Sequence, residues 1–422
     1  MHAKRPFHLM AKPIGPICNI RCDYCFYLAK EELFPGRTTR AQFTMREDVL
    51  ESFIRQYIDA QPPGTSEVTF AWQGGEPTLL PRAFYDKALE LQRRYARPGM
   101  TIRNSLQTNG TLVSRSRARY FAEHDFLIGI SIDGPADLHD KFRRNQAGQG
   151  THREVMAGFE NLKEAGVEFN TLTVVQSDNG DHPERVYDFL KSIGSTYMQF
   201  IPIVERLPDG GVNERSVRPE QWGSFMTGIF DRWSRSDIGR IFVQHFDMLL
   251  GIWAGYPSSL CVHSKTCGNA LAIEHDGSVY SCDHFVTPQD YQGNVTTDDL
   301  AAVVESERQV AFGRAKHATL PQECRECPWL QLCWGGCPKD RLLDGEGGRL
   351  NWLCEGYRAL YEHTAPHFVA MREALRRQVP VTEYRTFFPI PDPPPARNER
   401  CPCGSGLKFK QCHGRDRRSR PA

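Results

Sequence analysis

The sequence contains no uninterrupted apolar run long enough to cross a bilayer, and its opening, Met1-His2-Ala3-Lys4-Arg5-Pro6, leads into no long apolar segment of the export type. It reads as a cytoplasmic protein with no membrane partner. It also lacks a charge excess, since 52 Lys and Arg stand against 51 Asp and Glu for a formal net charge of +1. So even a balance excludes a whole-chain attraction to nucleic acid or to a membrane surface, and any partner must be chosen by local surfaces. Cysteine is not scarce: there are 14 in 422 residues. In a reducing compartment, tight groups of cysteines point to metal rather than to disulfides. The length allows two or three domains, and a hydrophobic content of 40% allows sizeable cores.

The first group is Cys18-Asn19-Ile20-Arg21-Cys22-Asp23-Tyr24-Cys25, a C-x3-C-x2-C loop that follows a strand-like run over residues 7–14. A [4Fe-4S] cube takes four thiolates, so three from one loop leave one iron open to a cofactor or substrate. A zinc knuckle would need a fourth Cys or His close by, and none follows. Further strand-like runs occur at 67–72, 101–106, 126–132, 168–175 and 197–204. Segments with apolar residues at helical spacing separate them, at 46–58, 82–95, 114–124, 152–165 and 182–193. Six alternating units predict parallel strands joined by right-handed crossovers, a partial barrel or an open doubly wound sheet. In barrels, function is built at the C-terminal strand ends. The unusual turns fall there: Gln73-Gly74-Gly75-Glu76-Pro77, Gln107-Thr108-Asn109-Gly110 and Ser131-Ile132-Asp133-Gly134-Pro135. Taken singly each is an ordinary strand-to-helix turn; together with the cysteine loop they mark one face.

The stretch 205–218 reads as a loop at the barrel mouth, and 219–253 as a helical stretch bridging two domains. A second cysteine region holds Cys261, Cys267, Cys282, Cys324, Cys327, Cys333, Cys337 and Cys354, eight thiols and so enough for two fully ligated cubes. Two four-cysteine zinc sites would use the same residues. Asp276-Gly277 predicts a two-residue hairpin that presents Cys282 at the end of its second strand. After a helical stretch over 355–377, the proline-rich run 388–395 reads as a semi-rigid linker. It carries Cys401-x-Cys403-x8-Cys412-His413, four ligands suited to tetrahedral Zn2+. Lys408, Lys410 and the arginines from 415 to 420 make this tail a basic knob, either a docking element or a solvated end.

The C-x3-C-x2-C loop resembles the signature of radical S-adenosylmethionine (SAM) enzymes, and the run from Cys261 to Cys354 resembles the auxiliary-cluster domain called SPASM. Over residues 7–370 the chain is identified as a member of the anaerobic sulfatase-maturating enzymes, most tellingly through Phe70-Ala71-Trp72-Gln73-Gly74-Gly75-Glu76-Pro77-Thr78 and Cys282-Asp283. The tail resembles the SEC-C zinc motif. These resemblances imply an α/β fold, a partial (β/α)6 TIM-like radical SAM barrel over residues 1–235. A SPASM domain over 236–380, a linker over 381–396 and a zinc motif with basic tail over 397–422 would follow. They imply three [4Fe-4S] clusters: one on Cys18, Cys22 and Cys25, one on Cys261, Cys267, Cys282 and Cys337, and one on Cys324, Cys327, Cys333 and Cys354.

By the same resemblance SAM would lie against Tyr24, Gly74, Gly75, Ser131 and Arg143. Tyr27 and Gln73 would face the substrate, and Asp283 would be the general base. The implied reaction turns a Cys or Ser of a sulfatase polypeptide into formylglycine, with ferredoxin or flavodoxin as electron donor. The adenosyl radical formed from SAM would abstract the hydrogen. A thioether- or carbon-carbon-forming peptide enzyme shares both cysteine regions, and a non-catalytic iron-sulfur or zinc adaptor is the reading from another class.

Overall fold

A computed structural model of the chain describes residues 1–208, 210–391 and 393–415; the basic segment beyond residue 415 lies outside them. The strands, in chain order, are β1 (His8–Lys12), β2 (Ile20–Cys22), β3 (Glu67–Trp72), β4 (Thr101–Thr108), β5 (Phe126–Ser131), β6 (Arg143–Asn145) and β7 (Phe169–Val175). They continue with β8 (Tyr197–Pro202), β9 (Phe242–Val243), β10 (Ala270–Glu274), β11 (Ser278–Tyr280), β12 (Tyr291–Asn294), β13 (Arg341–Gly345) and β14 (Gly348–Asn351). All six expected runs are strands, each followed by the expected helix where one was predicted.

The chain divides into two units interleaved in sequence, residues 1–172 with 266–319 and residues 173–265 with 320 onward. In the first unit β1, β3, β4, β5 and the first half of β7 lie side by side in parallel, the strand sequence of a partial TIM-like barrel. β3 shows why these residues make a strand. Its alternate residues Val68, Phe70 and Trp72 are buried, and they meet the helix Glu47–Asp59 through Phe53 and Tyr57, with Phe53–Phe70 and Tyr57–Phe70 ring centroids 5.6 and 5.1 Å apart. Period two on the strand meets period 3.6 on the helix, and the rings pack edge to face.

The first unit has one feature that the local pattern did not signal. β10 pairs in parallel with the free side of β1, in the register His8 opposite Ala270 through Lys12 opposite Glu274, and β11 and β12 add on antiparallel. A strand edge is thereby covered, and the cysteine-bearing hairpin is fixed to the barrel strand that precedes the first cysteine loop. The hairpin turn is longer than the two residues expected. The Gly277 N–H bonds to Glu274 O at 2.9 Å with Gly277 at φ +88°, so residues 275–277 form a three-residue loop. Only a glycine takes that conformation without strain. Cys282 follows just past the end of β11, as the hairpin requires.

In the second unit β8 pairs with β9, Tyr197 opposite Phe242. That short strand splits the expected helical stretch 219–253 into the helices Pro219–Ser236 and Gln244–Trp253. Pro219–Ser236 crosses the long helix Cys354–Arg376 at a pair of glycines: a Cβ on Gly356 would sit 2.2 Å from Pro219 O, and one on Gly223 3.1 Å from the Gly356 Cα. This close crossing sets where the long helix begins, and Cys354 is its first residue. The expected linker is anchored rather than free at its start. Phe388 is buried, with its ring 4.8 Å from that of His367 on the long helix.

Candidate active site and metal centres

The first cysteine loop is held by short-range backbone geometry. β2 pairs antiparallel with β6 so that Cys22 lies opposite Arg143, and the Cys25 N–H bonds to Cys22 O at 3.0 Å. Burial drives the Cys18 and Cys22 thiols up to about 12. Buried thiols that resist ionisation in isolation suit a site where a metal supplies the positive charge. The Asn109 side-chain amide lies 3.6 Å from Cys18 Sγ.

The Gly74-Gly75 turn lies against the entry to this loop. Gly75 N–H bonds to Gly15 O at 2.8 Å and Glu76 N–H to Ile17 O at 2.9 Å. A Cβ on Gly75 would sit 2.1 Å from Ile17 O. The close approach that this glycine permits is therefore to the backbone leading into Cys18. Glu76 is fully buried and ties the end of β3 to the end of β4, accepting from Thr78 N at 2.9 Å, the Thr108 hydroxyl at 2.8 Å and Asn109 N at 2.7 Å. Ser131 ends β5 and is buried. Arg143, also buried, donates from Nε and Nη2 to Asp133 at 2.8 and 3.2 Å. The Tyr24 hydroxyl donates to the same carboxylate. Tyr24, Asp133 and Arg143 thus form one buried cluster next to Cys22.

Around Asp283, the hairpin and the barrel strands bring together residues far apart in sequence. Lys12, at the end of β1 and only 1% exposed, has its Nζ 2.5 Å from Asp283 Oδ1 and donates to Gln73 Oε1. Gln73 in turn donates to Gln107 Oε1. Lys30 Nζ donates to the Asp283 main-chain carbonyl at 2.8 Å and lies 4.2 Å from the centre of the Tyr27 ring. Tyr27 donates its hydroxyl to Glu274. Burial by itself would raise the Asp283 carboxyl, but the Lys12 and Lys30 ammonium groups and His284 outweigh it and bring the group down to about 2. Burial pushes Lys30 down to about 8. Burial and then the neighbouring Glu274 carry the Tyr27 phenol well above its usual range.

Three expected residues, Asp283, Tyr27 and Gln73, thus share one site. Lys12, Lys30 and Glu274 join them unforeseen. The signal that could have found two of them is an apolar strand run ending in a charge, His8-Leu9-Met10-Ala11-Lys12 and Ala270-Leu271-Ala272-Ile273-Glu274, at the strand ends where barrel chemistry is built.

Cys267 and Cys282 lie in the first unit, Cys261 and Cys337 in the second. Cys267 is gripped by the helix Glu307–Ala318, its N–H bonded to Gly313 O at 3.3 Å. Cys324, Cys327, Cys333 and Cys354 all belong to the second unit. Burial raises Cys324 to about 11 and Cys333 to about 12, and in each of them the charge of Cys354 adds to the shift. A mononuclear four-thiolate zinc site draws its sulfurs to within about 3.8 Å of one another, since Zn–S is about 2.3 Å. Among the described residues one group, Cys401, Cys403, Cys412 and His413, comes near that spacing, with its ligand atoms all within 4.8 Å of one another.

The radical SAM superfamily pattern matches residues 13–190, the SPASM iron-sulfur cluster-binding domain 261–328 and the SEC-C motif 397–415. The serine-type anaerobic sulfatase-maturating enzyme of Bacteroides thetaiotaomicron is 42% identical over 392 residues, covering 89% of this chain and 93% of that protein. This chain belongs to the anaerobic sulfatase-maturating enzymes. The cysteine-type enzyme of Clostridium perfringens is 33% identical over 368 residues, 86% of this chain and 98% of that one. The solved structure of native anSMEcpe with bound AdoMet and Cp18Cys peptide superposes with a TM-score of 0.79 at 33% identity, covering 88% of this chain and 99% of that chain. Streptococcus suis SuiB bound to its precursor peptide, at 16% identity and a TM-score of 0.57, shares the fold alone.

This sulfatase-maturating enzyme also carries a docked tail. Cys401 Sγ and Cys412 Sγ lie 3.2 and 3.3 Å from His413 Nδ1, and Cys403 Sγ lies 3.6 Å from Cys412 Sγ. With Nδ1 facing the thiols, Nε2 carries the proton and donates to Arg385 O at 2.6 Å, the outer contact that fixes a metal-binding imidazole. Arg385 donates from Nε to Cys403 O at 3.1 Å and from Nη2 to Ser234 O at 2.5 Å. No helix among the described residues is long and apolar enough to cross a membrane.

Proposed function

We propose that this enzyme oxidises a Cys or Ser of a sulfatase polypeptide to formylglycine with Asp283 as the base. The observation that carries the reading is the Asp283 carboxylate. It is held ionised by Lys12, whose Nζ lies 2.5 Å from its Oδ1, beside Gln73 and Tyr27 and directly after a cysteine assigned to a cluster. When bound, SAM and three [4Fe-4S] clusters supply hydrogen-atom abstraction from the substrate β-carbon and take up the second electron. Asp283 receives the proton of the substrate hydroxyl or thiol, general-base work by a group already ionised. Oxidation therefore removes one hydrogen atom, one proton and one electron from the side chain. A serine yields the aldehyde directly, whereas a cysteine yields a thioaldehyde that water hydrolyses.

Cys18, Cys22 and Cys25 would hold the first cluster. Cys261, Cys267, Cys282 and Cys337 would hold one auxiliary cluster, and Cys324, Cys327, Cys333 and Cys354 the other. Tyr24, Gly74, Gly75, Ser131 and Arg143 are assigned to SAM, and Tyr27 and Gln73 to the substrate. Cys401, Cys403, Cys412 and His413 are assigned to Zn2+, in a motif that would dock a protein partner. The functional divisions are taken at 235, 380 and 396, the electron donor as ferredoxin or flavodoxin, and the compartment as the cytoplasm. The higher identity to the serine-type relative, 42% against 33% for the cysteine-type one, favours turnover of a Ser substrate.

The test is anaerobic incubation of the reconstituted enzyme, SAM and dithionite with peptides carrying Ser or Cys before x-Pro-x-Arg, read by mass spectrometry. Formylglycine with 5'-deoxyadenosine is the expected result. Deoxyadenosine with an intact peptide would overturn the substrate assignment and point to another peptide modification.

A further inference from the structure

Asp283, Gln73 and Tyr27 come from three separate segments, and a reaction at one peptide side chain needs them in a single arrangement. Lys12 reaches all three. Its Nζ lies 2.5 Å from Asp283 Oδ1, donates to Gln73 Oε1 and lies 4.9 Å from the centre of the Tyr27 ring. An ammonium group that is 1% exposed is expensive to bury and persists only where several partners orient it. The register of β1 and β10 puts Glu274 directly opposite Lys12. Glu274 is fully buried and takes the Tyr27 hydroxyl on Oε1; among the described residues none donates a hydrogen bond to its Oε2, which lies 3.8 Å from His275 Nδ1.

The Gln73 amide is oriented by the same contacts. Its oxygen faces Lys12 and one N–H faces Gln107, which leaves its second N–H as the donor it can offer a ligand.

We propose that Lys12 is the positioning residue of the peptide-oxidation site, its ammonium group fixing the Asp283 carboxylate and the Gln73 amide while Glu274 fixes the Tyr27 phenol. This rests on the sulfatase-maturation reading. A purely structural counter-ion would need only one carboxylate; Lys12 instead ties together side chains from the end of β3, from the segment after Cys25 and from the exit of the β10–β11 hairpin. The role is directional, because Asp283 Oδ1 is drawn toward Lys12 and the rest of the carboxylate is thereby aimed. Its loss should separate radical formation from its use.

The experiment compares Lys12→Met, Lys12→Arg and Glu274→Gln with the wild type on the Ser and Cys peptides. Formylglycine formed per 5'-deoxyadenosine is the readout, with peptide binding followed by fluorescence anisotropy. A lost hydrogen bond to a charged group corresponds to about tenfold, so Lys12→Met should lower that ratio by about tenfold or more through kcat, with peptide affinity within about threefold. Lys12→Arg should recover part of the ratio because it keeps a cation, and Glu274→Gln should fall between them because its amide oxygen still accepts from Tyr27. A wild-type ratio in Lys12→Met, or a Lys12→Arg ratio no better than that of Lys12→Met, overturns the proposal. If Lys12→Met fails to load iron, the comparison of Lys12→Arg with wild type decides: an unchanged ratio there overturns it. A wild-type enzyme that makes deoxyadenosine but no formylglycine overturns the underlying reading and this proposal with it, a result distinct from a failure of the variants alone.

Discussion

Replacing Gly75 by alanine should remove the first cluster while leaving the rest of the fold in place. The added Cβ would lie 2.1 Å from Ile17 O, 2.4 Å from Ile17 C and 2.7 Å from Pro16 C, contacts that real side chains do not make. The opposing atoms are backbone, so no rotamer change relieves them. Two hydrogen bonds, Gly75 N–H to Gly15 O at 2.8 Å and Glu76 N–H to Ile17 O at 2.9 Å, pin the segments at that separation. Overpacking of a rigid core costs about 1–3 kcal/mol, and a backbone clash belongs at the upper end. At about 2–4 °C per kcal/mol for folding units of this size, the melting temperature should drop by about 5–10 °C. The clash falls on Pro16 and Ile17, and Cys18 follows Ile17 directly, so any shift that relieves it should displace Cys18. The assay is iron and sulfide analysis with thermal melting, and Gly251→Ala serves as control. Gly251 lies in the helix Gln244–Trp253 with nothing within 4 Å of its added Cβ, so alanine there should be neutral or stabilising by up to about 1 kcal/mol. A Gly75→Ala enzyme with wild-type iron content and melting temperature would refute the steric argument.

Asp283→Asn should still cleave SAM but form formylglycine about 10²-fold more slowly or worse, the usual weight of a general base; undiminished product would remove Asp283 from the role. The same change leaves Lys12 facing an amide, and breaking a buried pair costs about 3–5 kcal/mol, so adding Lys12→Met to Asp283→Asn should restore part of the lost melting temperature. Glu76→Gln takes away an acceptor from a carboxylate that bonds Thr78, Thr108 and Asn109. One buried donor is then orphaned, at about 1–3 kcal/mol in a melting curve, and an unchanged melt would contradict the bonding pattern. Cys403→Ser should lose one zinc per chain while keeping the iron. Because His413 and Cys403 both meet Arg385, it should also make residues 381–396 more readily cut by trypsin. Unchanged proteolysis would show that the metal does not hold the tail.

How much of this was legible in the sequence depends on the range of the interactions. The six barrel strands announce themselves because each alternates or runs apolar within its own few residues, and β3 with its buried Val68, Phe70 and Trp72 is the plainest case. The cysteine spacings on which the metal assignments rest are legible for the same local reason, since they are written in neighbouring positions. The union of β10 with β1 was not legible. It pairs residues 8–12 with 270–274, two short apolar runs more than 250 positions apart that no local pattern distinguishes from any other pair. The break of the 219–253 stretch at β9 went unseen because two residues, Phe242 and Val243, carry no period of their own.

The residues missed in the site follow from that one missed pairing. Read alone, Lys12 is a charge closing a strand, and Glu274 is a charge at the start of a turn; both look solvated, as most such residues are. Their burial is created by the parallel pairing, which sets them opposite each other, and by the segment after Cys25, which lays Tyr27 against Glu274. Two charges that would be costly to bury singly become tolerable when the strand register supplies opposite charges together with the Gln73, Asp283 and Tyr27 contacts. A fold that only needed stability would be served as well by two apolar residues at positions 12 and 274. The retention of an ammonium and a carboxylate there, at the C-terminal strand ends and within reach of the Asp283 carboxylate and the Tyr27 phenol, is the strongest physical argument that β10 joins the sheet to build the site rather than merely to cover an edge.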